Sequence, residues 1–379
     1  MKILIDCRPI ERNNITSGTA VYIQNLILAI SNADKKNQYY TLFHQKENCP
    51  KKLINLGDNF KIIAYNSFFN SFNYCKAIFN HFFLGLWIKF KIKPSLCFFP
   101  YSQSPFLFFS PLVLTAHDFA IYKNQKWFAP GQWFAKKIIT SLSFRRAKKI
   151  IAVSKNTSKD LEKFMQIDQK KIKVIYEGVN NKPKILINPD QVLRKFQVKN
   201  NFLLFIGTLE PRKNLIRLLK AFQKLEKDYP NFQLVIAGKK GWKYEGIFTT
   251  YKKLNLQNKV IFTGLVKESE KWVLLEKCKI FVYPSLYEGF GLPILEAQKS
   301  KAPVLCGNRG SLPEITNNSA LLINPYSVDE IYLGMKKILE DENFKNHLIA
   351  NGSENMKRFS WEKAAQETIE VFREILEKA

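Results

Sequence analysis

The side chains of this chain best placed to do chemistry are two glutamates, Glu288 and Glu296. They bracket the turn Gly289-Phe290-Gly291 and the helix start Leu292-Pro293. Pro293 suits the first turn of a helix, where a missing N–H costs nothing. Gly289 and Gly291 let backbone approach a ligand closely. The product is an open helix N-terminus, a natural site for a phosphate. Glu288 lies in the loop before that helix and Glu296 about one turn in, and a carboxylate accepts hydrogen bonds from hydroxyls. A phosphate cradle between two hydroxyl-binding groups suits a sugar nucleotide. The same run also reads as an ordinary strand–turn–helix with a surface glutamate.

Other groups fall where strands end. Gly207-Thr208-Leu209-Glu210-Pro211-Arg212-Lys213-Asn214 follows an apolar run. Ligands of open α/β sheets bind beyond the carboxyl ends of strands. Arg212 and Lys213 are adjacent cations at such an end, read here as the start of a helix. Arg grips phosphate bidentately and Lys acts as a point charge. Helix N-termini prefer acids by ~0.3–1 kcal/mol, so something anionic should offset this pair. His117, in Thr115-Ala116-His117-Asp118, ends another strand and is placed to hydrogen-bond a sugar hydroxyl, although a lone His is usually structural. Gly18 opens a helix after Thr16-Ser17. Leu265, after Gly264, is placed to present backbone to a base. Gly238 to Trp242 reads as a turn, and Ser154 as an N-cap.

These groups need strands and helices to hold them. The candidate strands form two series. The first is 3–6, 39–43, 61–64, 96–99, 112–115, 149–153 and 173–176. The second is 202–206, 233–237, 260–263, 279–283, 303–306 and 320–323. Continuous apolar strands alternating with helices indicate parallel sheets covered on both faces. Two series predict two doubly wound domains, at 1–180 and 181–360. The polar stretch Gly178–Gln191 links them. A last helix begins after Ser360, with Ile369, Phe372 and Leu376 at helical spacing. Neither domain carries Gly-x-Gly-x-x-Gly after its first strand, which disfavours a nicotinamide-type enzyme, and there is no Walker A pattern.

With 379 residues the chain is long enough for two domains, and 46% hydrophobic content is globular. Net charge is +27: residues 1–180 hold 27 Lys+Arg and 10 Asp+Glu, a balance of +17. A basic excess implies anionic partners, but no nucleic-acid-binding signature accompanies it. Six cysteines without clip or zinc spacing fit a reducing cytoplasm. The chain opens on a strand-like Met1–Asp6, not a signal peptide. The charge-free stretch from Pro94 to Ala116 is broken by Pro100, Pro105 and Pro111, and reads as two buried strands joined by a loop, not a membrane span. Ile78–Phe90 is either a core helix or a membrane-surface segment.

Together these motifs resemble the GT-B retaining glycosyltransferases of the glycogen-synthase and mannosyltransferase type. The resemblance runs from Asp6-Cys7-Arg8-Pro9 and Ser17-Gly18 through His117-Asp118 and Val153-Ser154. It continues through Glu210-Pro211-Arg212-Lys213-Asn214 and Glu288 to Glu296, and ends at Phe359-Ser360-Trp361. It implies two Rossmann-like α/β domains facing a cleft, the C-terminal helix 361–379 crossing back to the first. By that resemblance Glu288 holds the hydroxyls of the donor sugar and Glu296 the ribose. Arg212 and Lys213 bind the diphosphate, helped by backbone at Phe290, Gly291 and Leu292. His117 lies against the sugar, and Gly18 near the donor phosphates or acceptor. Thr19-Ala20-Val21 departs from the small residue or Arg that many relatives carry there, which leaves the acceptor-side loop's role open.

The expected reaction is transfer of a hexose, with retention, from a nucleotide-diphosphate sugar to a glycan or lipid-linked acceptor in surface-polysaccharide synthesis. GDP-mannose is the first candidate donor and dTDP-rhamnose the second. No cofactor is expected, and no metal, since no Asp-x-Asp cluster occurs and side chains supply the cations. The expected location is cytoplasmic or peripheral at the inner membrane face, with no nucleic-acid partner. Two other readings stay open: another sugar-nucleotide enzyme, epimerase or phosphorylase-like, and a basic scaffold that binds nucleic acid or membrane.

Overall fold

The computed structural model describes all residues except 12–16, 66–81, 108, 129–131, 184–186 and 378–379, and leaves the side chains of 132–136 undescribed. Thr16, Cys75, the start of the 78–90 segment and part of the 178–191 linker therefore lie outside the described residues. The chain divides into two compact units. The first comprises 1–119, 131–178 and 359–379, and the second 120–130 and 179–358. The segment 120–130, read from sequence as part of the first domain, thus belongs with the second unit.

The first unit is built on a seven-stranded sheet. Its strands are β1 (Lys2–Asp6), β2 (Gln38–Phe43), β3 (Phe60–Ala64), β4 (Leu96–Phe99), β5 (Leu112–Ala116), β6 (Lys149–Ala152) and β7 (Ile172–Val174). They are ordered β3-β2-β1-β4-β5-β6-β7 and all pair in parallel. The order reverses between β1 and β4, and a reversal opens a crevice at the carboxyl ends of the strands. The stretch 94–116 folds as read, with β4 and β5 as buried strands joined by a loop.

Helix Gly18–Ala33 buries Ile23, Leu26, Ile27 and Ile30, the spacing of one helical face. Ser17 caps it by accepting from the Ala20 N–H at 3.2 Å. That helix packs against the last helix, Trp361–Leu376, where Tyr22 meets Trp361 at 5.9 Å between ring centroids. The last helix buries Trp361, Ala364, Ala365, Thr368, Val371 and Phe372. The inward stripe is therefore Trp361-Ala365-Thr368-Phe372. Phe372 of the expected Ile369-Phe372-Leu376 spacing is in that stripe, and Ile369 and Leu376 are half-buried beside it.

The second unit carries a six-stranded sheet ordered β10-β9-β8-β11-β12-β13. Its strands are β8 (Phe202–Ile206), β9 (Gln233–Ala237), β10 (Val260–Gly264), β11 (Ile280–Tyr283), β12 (Val304–Gly307) and β13 (Leu321–Ile323), again all parallel. Here the order reverses between β8 and β11. β9 and β11 are buried along their whole length, which is why they read as unbroken apolar runs. Helix Leu215–Asp228 covers the sheet with Leu218, Leu219, Phe222 and Leu225.

Candidate active site

The crevice between β8 and β11 gathers the cations and one of the glutamates. The chain leaving β8 does not enter a helix at once. Pro211–Lys213 forms a single 3-10 turn, and the helix starts at Leu215 after Asn214, which adopts a left-handed φ of 63°. The Asn214 amide donates to the carbonyls of Pro284, at 3.0 Å, and Pro325, at 2.5 Å. The Leu286 N–H donates to the Arg212 carbonyl at 2.8 Å. These bonds join the β8 turn to the loop after β11 and bring both cations onto Glu288.

Arg212 Nη1 donates to Glu288 Oε2 at 2.6 Å and to the Tyr287 carbonyl at 3.2 Å, while Nε faces Glu210 Oε1 at 2.5 Å. Lys213 Nζ donates to Glu288 Oε1 at 2.5 Å and to the Tyr283 hydroxyl at 2.7 Å. Glu288, Glu210 and Lys213 are all buried. The anionic offset expected for the Arg–Lys pair is thus supplied by protein carboxylates, two against two. Burial alone would raise the Glu288 carboxyl, but the charges of Arg212 and Lys213 outweigh it and hold the group down at about 2. Burial, then the Arg212 charge, pushes the Lys213 ammonium below its ordinary value against the pull of Glu288 and Glu210.

The loop 288–291 is held from behind. Ser311 Oγ donates to the carbonyls of Glu288, at 3.1 Å, and Phe290, at 2.7 Å. Gly310 has φ +63°, and a Cβ there would lie 2.7 Å from the Glu288 carbonyl oxygen, so only glycine fits. Gly291, at φ +118°, is the N-cap of helix Leu292–Lys299 and has no side chain with which to cap it. A helix start capped by glycine presents backbone N–H groups to which an anion can bind.

Glu296 lies on that helix, buried, with Oε1 2.6 Å from Lys271 Nζ. Burial raises the Glu296 carboxyl despite Lys271. Lys271 is a partner the sequence reading missed. It stands on helix Glu268–Lys277, and nothing in the linear order of residues ties it to Glu296. Gly207 continues β8 by donating its N–H to the Ala237 carbonyl at 2.9 Å. Leu265 is 60% exposed beyond the edge strand β10, two strands from β8. The Gly238–Trp242 turn runs alongside the β8 loop through a Leu209–Lys240 bridge.

In the first unit the carboxyl ends of β1, β4 and β5 carry a separate network. His117 Nε2 meets the Pro100 carbonyl at 3.0 Å, so that nitrogen carries the proton. Nδ1 faces the buried Glu177 carboxylate at 3.5 Å. Tyr22 packs edge-on against the imidazole at 4.7 Å. Burial raises the Glu177 carboxyl, with His117 pulling the other way. One residue along, the Tyr101 hydroxyl donates to Asp6 Oδ2 at 2.6 Å, and Arg8 grips the same carboxylate from Nε and Nη2. Glu177, Tyr22 and Tyr101 are further residues of this network that sequence reasoning missed. A Cβ at Gly18 would meet open space.

Comparison with known proteins adds to this geometry. Residues 190–355 match the family model described as glycosyl transferases group 1, and residues 16–182 match glycosyltransferase family 4. The chain is 35% identical over 184 residues to the O-antigen chain mannosyltransferase B of Escherichia coli, covering 48% of each. It is 30% identical to the serotype-specific mannosyltransferase WbdA of Escherichia coli over 70% of this chain and 34% of that one. It thus spans less than half the length of these two curated relatives. An uncharacterized glycosyltransferase of Methanocaldococcus jannaschii is 30% identical over 70% of this chain and 69% of its own. Among solved structures, sucrose-phosphate synthase from Thermosynechococcus elongatus superposes with a TM-score of 0.80 at 19% identity over the whole of both chains. Anabaena HepE, solved with UDP and glucose, gives 0.73 at 17% identity over 98% of this chain and 99% of that one. These likenesses establish the two-domain GT-B fold.

Proposed function

The chain belongs to the group 1 glycosyl transferases, and on that premise we propose that it is a retaining hexosyltransferase using a nucleotide-diphosphate sugar. GDP-mannose is the first donor to test. The acceptor is a glycan or lipid-linked glycan in cell-surface polysaccharide synthesis, as the O-antigen relatives support. One observation carries this reading. A buried carboxylate, held charged by Arg212 and Lys213, sits one turn before a glycine-capped helix N-terminus at the switch point of a parallel sheet. Sugar hydroxyls require the first feature and a diphosphate the second.

The glycosidic C1–O bond breaks with its electron pair passing to the diphosphate. Arg212, Lys213 and the start of helix Leu292–Lys299 stabilise the growing charge, which is preorganised electrostatics. The acceptor oxygen bonds to C1 on the face the diphosphate leaves, and the departing phosphate oxygen takes the acceptor's proton. Glu288 orients the sugar through its hydroxyls, Glu296 holds the ribose, and backbone at Phe290, Gly291 and Leu292 faces the phosphates. No protein nucleophile, cofactor or metal enters this scheme. His117 and Gly18 serve the reaction from the first unit, and the protein works in the cytoplasm or at the inner face of the cytoplasmic membrane.

The test is transfer from GDP-mannose to a mannose-terminated acceptor, with the anomeric configuration of the product read by NMR. An α-linked product from the α-linked donor, lost in Arg212→Ala, is the expected result. An inverted linkage sinks retention. Release of GDP at the same rate without acceptor sinks the transferase reading.

A further inference from the structure

We propose that the outward face of residues 82–93, together with Phe109, is a docking surface for an anionic membrane. This segment of the first unit turns Leu84 and Ile88 inward, both essentially inaccessible, and leaves Phe82, Phe83 and Phe90 outside. Phe90 is 67% exposed and Phe109 52%. Lys89 ties the two rings together, its ammonium 4.1 Å from the centroid of Phe109 and 5.8 Å from that of Phe90. Contiguous exposed aromatics on a folded unit mark an interaction surface, whereas single exposed apolar residues need no explanation.

Charge identifies the occupant. Between residues 59 and 117, all in the first unit, the sequence holds five Lys and no acid. Within the ridge itself Lys89, Lys91 and Lys93 alternate with Phe90 and Ile92. Phenylalanines that enter the boundary of the acyl chains, beside lysines that meet headgroup phosphate, match a membrane interface. Among the described residues no helix is long and apolar enough to cross a membrane. Contact at this ridge is therefore peripheral, reversible and dependent on lipid charge.

Flotation of the purified protein with vesicles tests this without donor or acceptor, so its outcome is independent of the transferase reading. Binding is expected to vesicles containing phosphatidylglycerol, weak to phosphatidylcholine alone, and reduced by salt. The pair Phe90→Ser with Phe109→Ser should lower vesicle affinity about tenfold. Lys89→Gln and Lys91→Gln should cost roughly fivefold each. The pair Lys252→Gln with Lys253→Gln, in the second unit, should change nothing. No binding to anionic vesicles overturns the proposal, as does equal loss from the second-unit pair. Unchanged binding after loss of both phenylalanines would show charge adsorption without docking. Displacement from vesicles by polyuridylate at equal phosphate would assign the basic face to a polynucleotide instead.

Discussion

Each unit places a buried glutamate near the carboxyl ends of its strands, and the two are driven in opposite directions. Glu288 in the second unit has a cation on each oxygen, 2.6 and 2.5 Å away, and its carboxyl falls to about 2. Glu177 in the first unit has one imidazole at 3.5 Å, and burial raises its carboxyl. The difference lies in the number of partners, since both side chains are buried. Two cations overcome desolvation, whereas one imidazole does not. Glu288 is thereby a fixed charge suited to holding hydroxyls. Glu177, its carboxyl raised by burial, takes up a proton more readily than an ordinary glutamate.

The largest effect expected from breaking this contrast is on turnover. Glu288→Ala removes two charge-assisted hydrogen bonds and should lower kcat by ~10²–10³-fold. Glu177→Gln, which keeps the shape beside His117, should cost less than about tenfold. Steady-state kinetics on both variants, with folding checked by circular dichroism, orders the two sites. Equal losses would erase the distinction between them.

The opposite shifts also predict opposite pH behaviour. A carboxyl lowered by folding stabilises above its unfolded pKa, and that stability is lost as pH falls towards the folded value. Glu288 should therefore contribute roughly 3 kcal/mol at neutral pH, fading between about 4.5 and about 2. Glu177, raised by folding, acts the other way: its contribution is greatest below its ordinary pKa and is lost as pH rises through the folded value. Urea unfolding against pH should show Glu288→Gln losing the acid-side slope, and Glu177→Gln gaining stability near neutrality relative to the parent chain. The smallest effect concerns neither site. Ser360 accepts from the Lys363 N–H at 3.0 Å, and Ser360→Ala should cost ~1 kcal/mol, read as a fall of a few degrees in Tm.

The strands were legible because parallel strands buried on both faces leave unbroken apolar runs such as Phe202–Phe205 and Ile280–Tyr283. Caps at Ser154 and Ser360 were legible for a local reason: one hydroxyl meets an N–H three residues on. The last helix was legible from the spacing that includes Phe372, but the burial of the small Ala364, Ala365 and Thr368 was not, because a short side chain carries little apolar signal. At the candidate site the residue types could be read but not their pairing. Arg212 and Lys213 stand more than seventy positions from Glu288 and meet it only because β8 and β11 are neighbours in the sheet. Lys271 beside Glu296, and Glu177 beside His117, leave no local pattern at all, since a charge partner across the fold has no fixed spacing.

The most direct measurement is calorimetric titration of the chain and of Arg212→Ala with GDP, UDP, dTDP and their hexose conjugates. Binding of one nucleotide family by the parent chain, weakened at least about tenfold in folded Arg212→Ala, is the predicted result. Equal affinity in the two proteins, or no heat with any nucleotide at millimolar concentration, would contradict a donor site built on Arg212, Lys213 and Glu288.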